Sequence, residues 1–382
     1  MQGRAASRGP SFNVVARSLL VFAIAVALVA GIAGGLLRAG VGLPAQAAGA
    51  WLGQAVLAHA FLMIGAFLGT VIGIERAVAV KQPLAFVAPL SSALSGLLML
   101  AGATSAAAGL SVVAALAFVA VNTLVVVRQR AAHTALLLAA ALAWLAGNGL
   151  HALGGPAEAV VPWWFGFLVL TIVAERLEMT RLMRRRRGAA PALFGLVGAL
   201  LLGCVASALA LPWAGALYGA SLLGLAAWLL SFDIARRTIR ARGLSRYMAV
   251  CLLLGYVWLA VSGVAWVAAS LGLPTRDAAV HALALGFVFS MMLGHAPVIL
   301  PAVAGVKLQF GWVFYAPLAL LHASLVVRLL LAPLQPGLLA LGAAANAAAI
   351  VLFAATVLGS ALAWRWSRPS AARPQHDLPA QP

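Results

Sequence analysis

The sequence predicts an all-α, polytopic integral membrane protein, and two features of its composition support this class. Hydrophobic residues make up 64% of the 382 residues and charged residues only 8%, which no soluble globular class matches. The apolar residues are also collected into runs of about twenty, long enough to cross the hydrocarbon core of a bilayer as helices. Each run is expected to be helical because a helix satisfies its own backbone hydrogen bonds in lipid.

Twelve apolar runs are predicted to span the membrane within a single domain of residues 1–366. In chain order they lie near 14–37, 47–74, 84–103, 106–127, 132–153, 159–177, 190–210, 212–233, 247–271, 277–303, 310–332 and 338–364. The first forty residues resemble a signal peptide, but their apolar region is too long for one and is interpreted as the first helix. Residues 367–382, rich in Pro, Ala and Gln, are predicted to form a disordered cytoplasmic tail.

The distribution of Lys and Arg predicts the orientation of the chain. The net charge of +18 could indicate a nucleic-acid-binding protein, but all except three of the 25 Lys and Arg fall on one side of the predicted helices. Only Arg38, Arg276 and Arg328 fall on the other side. The positive-inside rule then predicts a bacterial cytoplasmic (inner) membrane protein with both termini in the cytoplasm. The basic inner loops, including the arginine run 184–187, are expected to face lipid headgroups, and no nucleic-acid partner is expected.

The tenth predicted helix carries most of the chemistry-bearing side chains. At 100° per residue, His281, Met292 and His295 fall on one stripe of this helix. Pro297 deprives the carbonyl of Leu293 of its helical partner, which predicts a kink beside His295. Ionisable side chains at membrane depth indicate a functional site, and polar residues satisfied inside a helix bundle are the structural alternative.

The second predicted helix places a histidine at a similar depth. His59 and Met63 are four residues apart and share one helix face. Helices two and ten both run from outside to inside. His59 lies about 12 Å inward from Trp51, and His281 about 6 Å inward from Asp277, so the two imidazoles are expected at comparable depth.

Other polar residues are expected near this level. The outer cations Arg38, Arg276 and Arg328 form the set that an outward-facing anion such as a propionate would use. His322 falls near the middle of the eleventh helix, where a lone imidazole needs a partner.

Helices two, six and ten share a spacing that predicts an internal repeat. In each, an ionisable residue comes eight positions after a phenylalanine: Glu75 after Phe67, Glu175 after Phe167, and His295 after Phe287. The intervals of about four helices predict a threefold repeat of four-helix units, with chance matches in an apolar sequence as the alternative. Glu75 and Glu175 are interpreted as ion pairs at the cytoplasmic edge, or alternatively as a route for proton uptake.

The segments around the two outer histidines resemble the NnrS family. HAFLMIGAF, with His59 and Met63, is similar to the amino-terminal His-Ala-His-Glu-Met segment of that family, and HALALGFVFSM, with His281, resembles its later His-Ala-Leu-x-x-Gly helix. The resemblance implies a twelve-helix membrane protein with haem and copper that is linked to nitric-oxide stress. Phe61 and Leu62 replace the family's second His and its Glu, and GHAPVILP replaces its usual Gly-His-Thr-Gly-Arg ending, which weighs against copper.

A more remote similarity is to the catalytic subunits of haem-copper oxidases. These also have twelve helices, pseudo-threefold order and a low-spin haem held by histidines of helices two and ten. The sixth helix here has no histidine. The similarity therefore does not extend to a copper centre or to oxygen reduction.

The first functional hypothesis is a haem-binding membrane protein of redox or nitric-oxide-stress metabolism. His59 and His281 are its expected axial ligands, and His295 is expected to hold a second metal or to lie on a proton path. An electron donor or a small gaseous ligand is the expected partner, together with membrane lipid. The further cofactor-binding residues expected are Met63, Arg276 and Arg328.

A second hypothesis is a small-molecule transporter. Pro297 and the glycines of helices two and ten would form hinges around a midplane site, and the histidines would gate it or relay protons. A third is a structural or assembly partner without chemistry of its own. The sequence specifies neither a catalytic residue nor an oligomeric state.

Overall fold

The computed structural model describes residues 14–42, 49–180 and 188–367. Within these ranges the chain forms helices and no strand, and twelve helices are long and apolar enough to cross a membrane. The all-α membrane fold predicted from composition is therefore confirmed. The predicted tail from residue 368 onward and the arginine run 184–187 lie outside the described residues.

The twelve helices are labelled here in chain order. A short helical turn, Ala235–Thr238, connects the eighth and ninth helices. The helices are α1 (Val14–Arg38), α2 (50–80), α3 (Pro83–Leu100), α4 (Thr104–Arg128), α5 (Ala132–Ala152), α6 (Ala157–Met179), α7 (Ala189–Ala208), α8 (Ala214–Phe232), α9 (Gly243–Ser270), α10 (276–304), α11 (Trp312–Leu331) and α12 (Leu338–Trp366).

The predicted and observed limits differ at the inner end of α2. This helix continues to Val80, whereas hydropathy predicts an end near residue 74. Glu75 and Arg76 remain helical, and Nη2 of Arg76 lies 4.0 Å from Oε1 of Glu175 on α6. An ion pair between two helices lowers the cost of charged groups at membrane depth, so the helix need not end where the charges begin.

Three helices contain a π-helical segment. These segments are Phe61–Leu68 in α2, Ala282–Phe289 in α10 and Val326–Leu331 in α11. A π turn holds more residues than an α turn, so it changes the direction in which later side chains point, and such segments are frequent at functional sites.

The π segment of α10 corrects the predicted stripe of histidines. His281 precedes this segment and His295 follows it, so the α-helical period that placed both imidazoles on one face does not hold between them. The helix continues through Pro297 to Ala304. The departure of α10 from α-helical geometry therefore lies at residues 282–289, before the kink that Pro297 predicts.

Helices α2, α6 and α10 occupy the centre of the bundle. Each of the three contacts the other two, and the remaining helices surround them, with α12 against α1. They also have the largest buried shares of all the spans in the described chain, at 61%, 78% and 61%. The threefold repeat of four-helix units predicted from the spacing of phenylalanines stays a prediction. The central arrangement of these helices makes α2 and α10 face each other, as the stacked rings of Phe67 and Phe289 show.

Candidate functional site

The structure brings His59 of α2 and His281 of α10 together. Their ring centroids are 6.3 Å apart, and the ring planes differ by 31°. Both side chains line a cavity of about 480 Å³ formed by α1, α2, α6, α10, α11 and α12. This volume lies within the range of about 300–1,000 Å³ that is typical of sites for small molecules and cofactors.

The ring of His59 is oriented by α1. Its Nδ1 lies 2.7 Å from the carbonyl oxygen of Gly31. Because a carbonyl can only accept, Nδ1 donates this hydrogen bond and Nε2 carries the lone pair. The close approach of the helices depends on glycine, since a Cβ atom at Gly35 would lie 2.7 Å from Cε1 of His59. The tautomer and direction of His59 are thus fixed by a neighbouring helix.

The ring of His281 is oriented by Asp277, one turn earlier in α10. Nδ1 of His281 lies 2.8 Å from Oδ1 of Asp277. The same carboxylate accepts two hydrogen bonds from Arg328, from Nη2 at 2.8 Å and from Nε at 3.0 Å. Nη2 of Arg328 is almost equidistant from the two ring nitrogens of His281, at 3.3 Å and 3.2 Å. It therefore lies beside the imidazole and is not directed at one lone pair.

The three arginines beside the cavity differ in the partners that they have within the protein. Arg276 and Arg328 both line the cavity, and their binding of an anionic group of a cofactor stays a prediction. Arg328 is already paired with Asp277, and Nη2 of Arg276 lies 3.5 Å from Oε1 of Glu158. Arg38 also lines the cavity, and in the described part of the chain it forms no ion pair. Arg38 is therefore the cation of this cavity with the most capacity for an incoming carboxylate.

Apolar side chains form most of the cavity wall. Met63 lines it, with its sulfur packed close to Gly31 of α1. A mainly apolar wall with a few fixed polar groups is typical of cofactor sites. The large apolar residues of this wall include Leu68, Phe165, Leu285, Phe289 and Ile350.

The residues predicted deeper in α10 do not belong to this cavity. Neither His295 nor Met292 nor Pro297 lines it. Nδ1 of His295 lies 2.7 Å from the carbonyl oxygen of Met291, and the ring interacts electrostatically with Glu75. His295 is therefore part of a separate polar cluster near the carboxyl-terminal ends of the central helices.

In this cluster, ion pairs join α2 to α6 and α6 to the connection between α8 and α9. Nε and Nη2 of Arg176 donate to the carboxylate of Asp233 at 2.8 Å and 3.1 Å, and both side chains are at most 5% exposed. Arg76 pairs with Glu175 at 4.0 Å, and Glu75 interacts with Glu175. The predicted ion pairs thus connect different helices, with Asp233 as an unpredicted partner. The alternative of proton uptake through Glu75 and Glu175 stays a prediction.

His322 has the partner that its depth requires. Nε1 of Trp258 donates a hydrogen bond of 2.8 Å to Nδ1 of His322, and Nε2 of His322 lies 3.4 Å from Oγ of Ser290. The ring does not line the cavity. Its contacts join α9, α10 and α11, which indicates a structural role.

Comparison with known proteins gives a family without an assigned activity. No curated protein and no solved structure matches the chain. A family model described as "Domain of unknown function (DUF8744)" matches residues 17–362, a range that contains every residue of the cavity. The match covers well over half of the sequence. The chain therefore belongs to the family described as a domain of unknown function (DUF8744).

Proposed function

We propose that this protein binds haem in the membrane and acts in redox or nitric-oxide-stress metabolism, with His59 and His281 as axial ligands. The separation of the two rings carries the proposal. Two imidazoles this close together on facing helices would supply the two protein ligands that a haem iron takes in addition to its porphyrin nitrogens. The observed centroid distance is 6.3 Å. Bound haem supplies reversible one-electron transfer at such a site.

The shortage of other ligands favours haem over a bare metal ion. Within the described ranges, no group of three or more His, Cys, Asp or Glu is placed to hold a metal. Two imidazoles leave a bare zinc or copper ion short of its usual coordination. A porphyrin brings four equatorial nitrogens of its own and needs only the two axial positions. This argument, like the sequence departures at Phe61 and Leu62, weighs against copper.

The hydrogen bonds behind the two rings also support the proposal. Histidines that bind a metal usually donate their second ring nitrogen to a carbonyl or carboxylate, which fixes the tautomer. His59 donates to Gly31, and His281 has Asp277 at the same position. For His281 to bind iron through Nε2, Nη2 of Arg328 would have to move away from that atom. The hydrogen bond between Nδ1 of His281 and Asp277 would remain.

The haem proposal is tested by the absorption spectrum of the purified chain. Protein made with haem supplied and purified in detergent is expected to show a Soret band that shifts with dithionite. His59→Ala and His281→Ala should each remove the six-coordinate low-spin spectrum, because each deletes one axial ligand. His151→Ala is a suitable control, since His151 lies against Phe61 and Trp164 and does not line the cavity.

Two results would contradict this assignment. A low-spin spectrum unchanged in both variants would exclude His59 and His281 as ligands. Wild-type protein without any Soret band would exclude the haem function and favour the transporter hypothesis, in which Pro297 provides a hinge and the histidines gate or relay protons.

The orientation proposed with this function is a bacterial cytoplasmic membrane protein with both termini in the cytoplasm. The positive-inside rule supports it, because all except three of the 25 Lys and Arg fall on the side assigned to the cytoplasm. The three exceptions, Arg38, Arg276 and Arg328, line the cavity. Reporter fusions after residue 187 and at the carboxyl terminus should report cytoplasm, and a fusion after residue 274 should report the opposite side. A cytoplasmic report after residue 274 would contradict the orientation. Lipid surrounds the bundle, and an electron donor or a small gaseous ligand is the proposed partner.

A further inference from the structure

The polar cluster near the carboxyl-terminal ends of the central helices contains more carboxyl groups than arginines. Four of the seven acidic side chains of the sequence lie there: Glu75, Glu175, Glu178 and Asp233. In the described part of the chain, the basic groups beside them include Arg76, Arg176, His133 and His295. Arginine keeps its charge, whereas histidine is readily neutral. Four carboxylates and two arginines therefore leave an excess of two negative charges when both histidines are neutral.

Two of these carboxyl groups have partners of their own. Asp233 accepts two hydrogen bonds from Arg176, at 2.8 Å and 3.1 Å, and both side chains are buried. Oε1 of Glu178 lies 4.0 Å from Nε2 of His133, and the Glu178 side chain is exposed. Arg176 is thus committed to Asp233, and Glu178 has an exposed position beside a histidine. The remaining charge imbalance lies between α2 and α6.

Glu75 of α2 and Glu175 of α6 share the guanidinium of Arg76. Arg76 directly follows Glu75, and its Nη2 lies 4.0 Å from Oε1 of Glu175. The two carboxyl groups are close enough to repel each other when both are ionised. The other described groups that interact with them are Arg176, Glu178 and His295. One guanidinium can balance only one of two carboxylates, and an unbalanced carboxylate at membrane depth is costly.

We propose that Glu75 and Glu175 form a proton-binding site, at which the two carboxyl groups hold one proton between them at neutral pH and Arg76 balances the remaining charge. Two carboxyl groups that share a site do not both ionise readily, because like charges repel each other. They lie five and four residues before the ends of α2 and α6, and Glu175 is partly exposed, so the proton can exchange with water. The inference goes beyond the proposed function and does not depend on haem.

The test is the infrared absorption of the full chain at neutral pH, purified in a detergent without ester groups and measured in H₂O and in D₂O. The sequence has only seven acidic side chains, so a band can be assigned by substitution. The wild type is expected to show the C=O band of one protonated carboxylic acid, which shifts in D₂O because its proton exchanges. Glu75→Gln and Glu175→Gln should each abolish the band, since Arg76 balances the carboxylate that remains. Glu158→Gln should keep it, because Glu158 is exposed and pairs with Arg276.

The wild-type spectrum and the two glutamine variants decide the question. Absence of the band in the wild type would overturn the inference, since both carboxylates would then be ionised and balanced by another group such as His295. A band that survives in both variants would assign the proton to another carboxyl group, and a band lost in only one would exclude a shared site. A band that does not shift in D₂O would exclude an exchangeable proton. The wild-type measurement requires no variant, so misfolding of a variant cannot obscure it.

Arg76→Leu tests the charge balance separately. Both carboxyl groups then lack their shared cation, so the spectrum should gain the band of a second protonated carboxylic acid. An unchanged band in Arg76→Leu would exclude Arg76 as the balancing charge and overturn the proposed site.

Discussion

Arg176→Leu is expected to lower the free energy of unfolding by about 3–5 kcal/mol, because it leaves the carboxylate of Asp233 buried without its partner. The Asp233 side chain is fully buried and accepts two hydrogen bonds from Arg176, with a third from the backbone N–H of Ala235. This pair joins the centre of the bundle to the connection between α8 and α9. The loss should appear as a lower melting temperature and a smaller yield of monodisperse protein in detergent.

A double variant separates the loss of a contact from the burial of an unpaired charge. Arg176→Leu combined with Asp233→Leu removes both charges and should recover most of the lost stability, since apolar replacement of a buried ion pair is often neutral. Arg236→Leu is the matched control, because Arg236 lies in the same connection but is exposed and donates only to the carbonyl of Ser231. If Arg176→Leu melted at the wild-type temperature, the ion pair would not contribute to the stability of the protein.

The number and order of the helices could be predicted because hydropathy averages over about twenty residues, and the membrane imposes that length. The spacing of a phenylalanine and an ionisable residue in α2, α6 and α10 predicts a repeat, but it does not indicate that these helices occupy the centre of the bundle. The π segments could not be predicted. The π segments result from packing between helices. Residues 282–289 are apolar at every position, so their sequence does not distinguish an α-helical from a π-helical period.

The site could be predicted as a pair of residues but not as a network. His59 and His281 stood out because imidazoles are rare at membrane depth. Gly31 binds His59 through its backbone carbonyl, which has no sequence signature. Asp277 could have been found from its spacing of four residues before His281, which favours contact within a helix.

The outer arginines show why charge position alone did not predict their partners. The distribution of Lys and Arg predicts their side of the membrane, but pairing depends on which acidic residue lies within reach. Arg328 meets Asp277, and Arg276 meets Glu158. These acidic residues lie in the first turns of α10 and α6. The charges of the rim are thus largely neutralised within the protein, which leaves Arg38 for a ligand.

Asp277→Asn is expected to raise the reduction midpoint potential of the haem-loaded protein by about 60 mV or more. A carboxylate behind Nδ1 makes the imidazole of His281 a stronger donor and favours the oxidised metal, whereas an amide does so less. Changing such a partner typically costs about tenfold to a hundredfold in metal affinity, and tenfold weaker binding of the oxidised form alone corresponds to about 59 mV for one electron. Redox titration of the Soret band gives the potential, and the low-spin spectrum shows whether both ligands remain. Glu158→Gln is the control, because it alters the neighbouring outer ion pair without touching His281. A potential that is unchanged in Asp277→Asn, with the spectrum intact, would show that Asp277 only anchors Arg328.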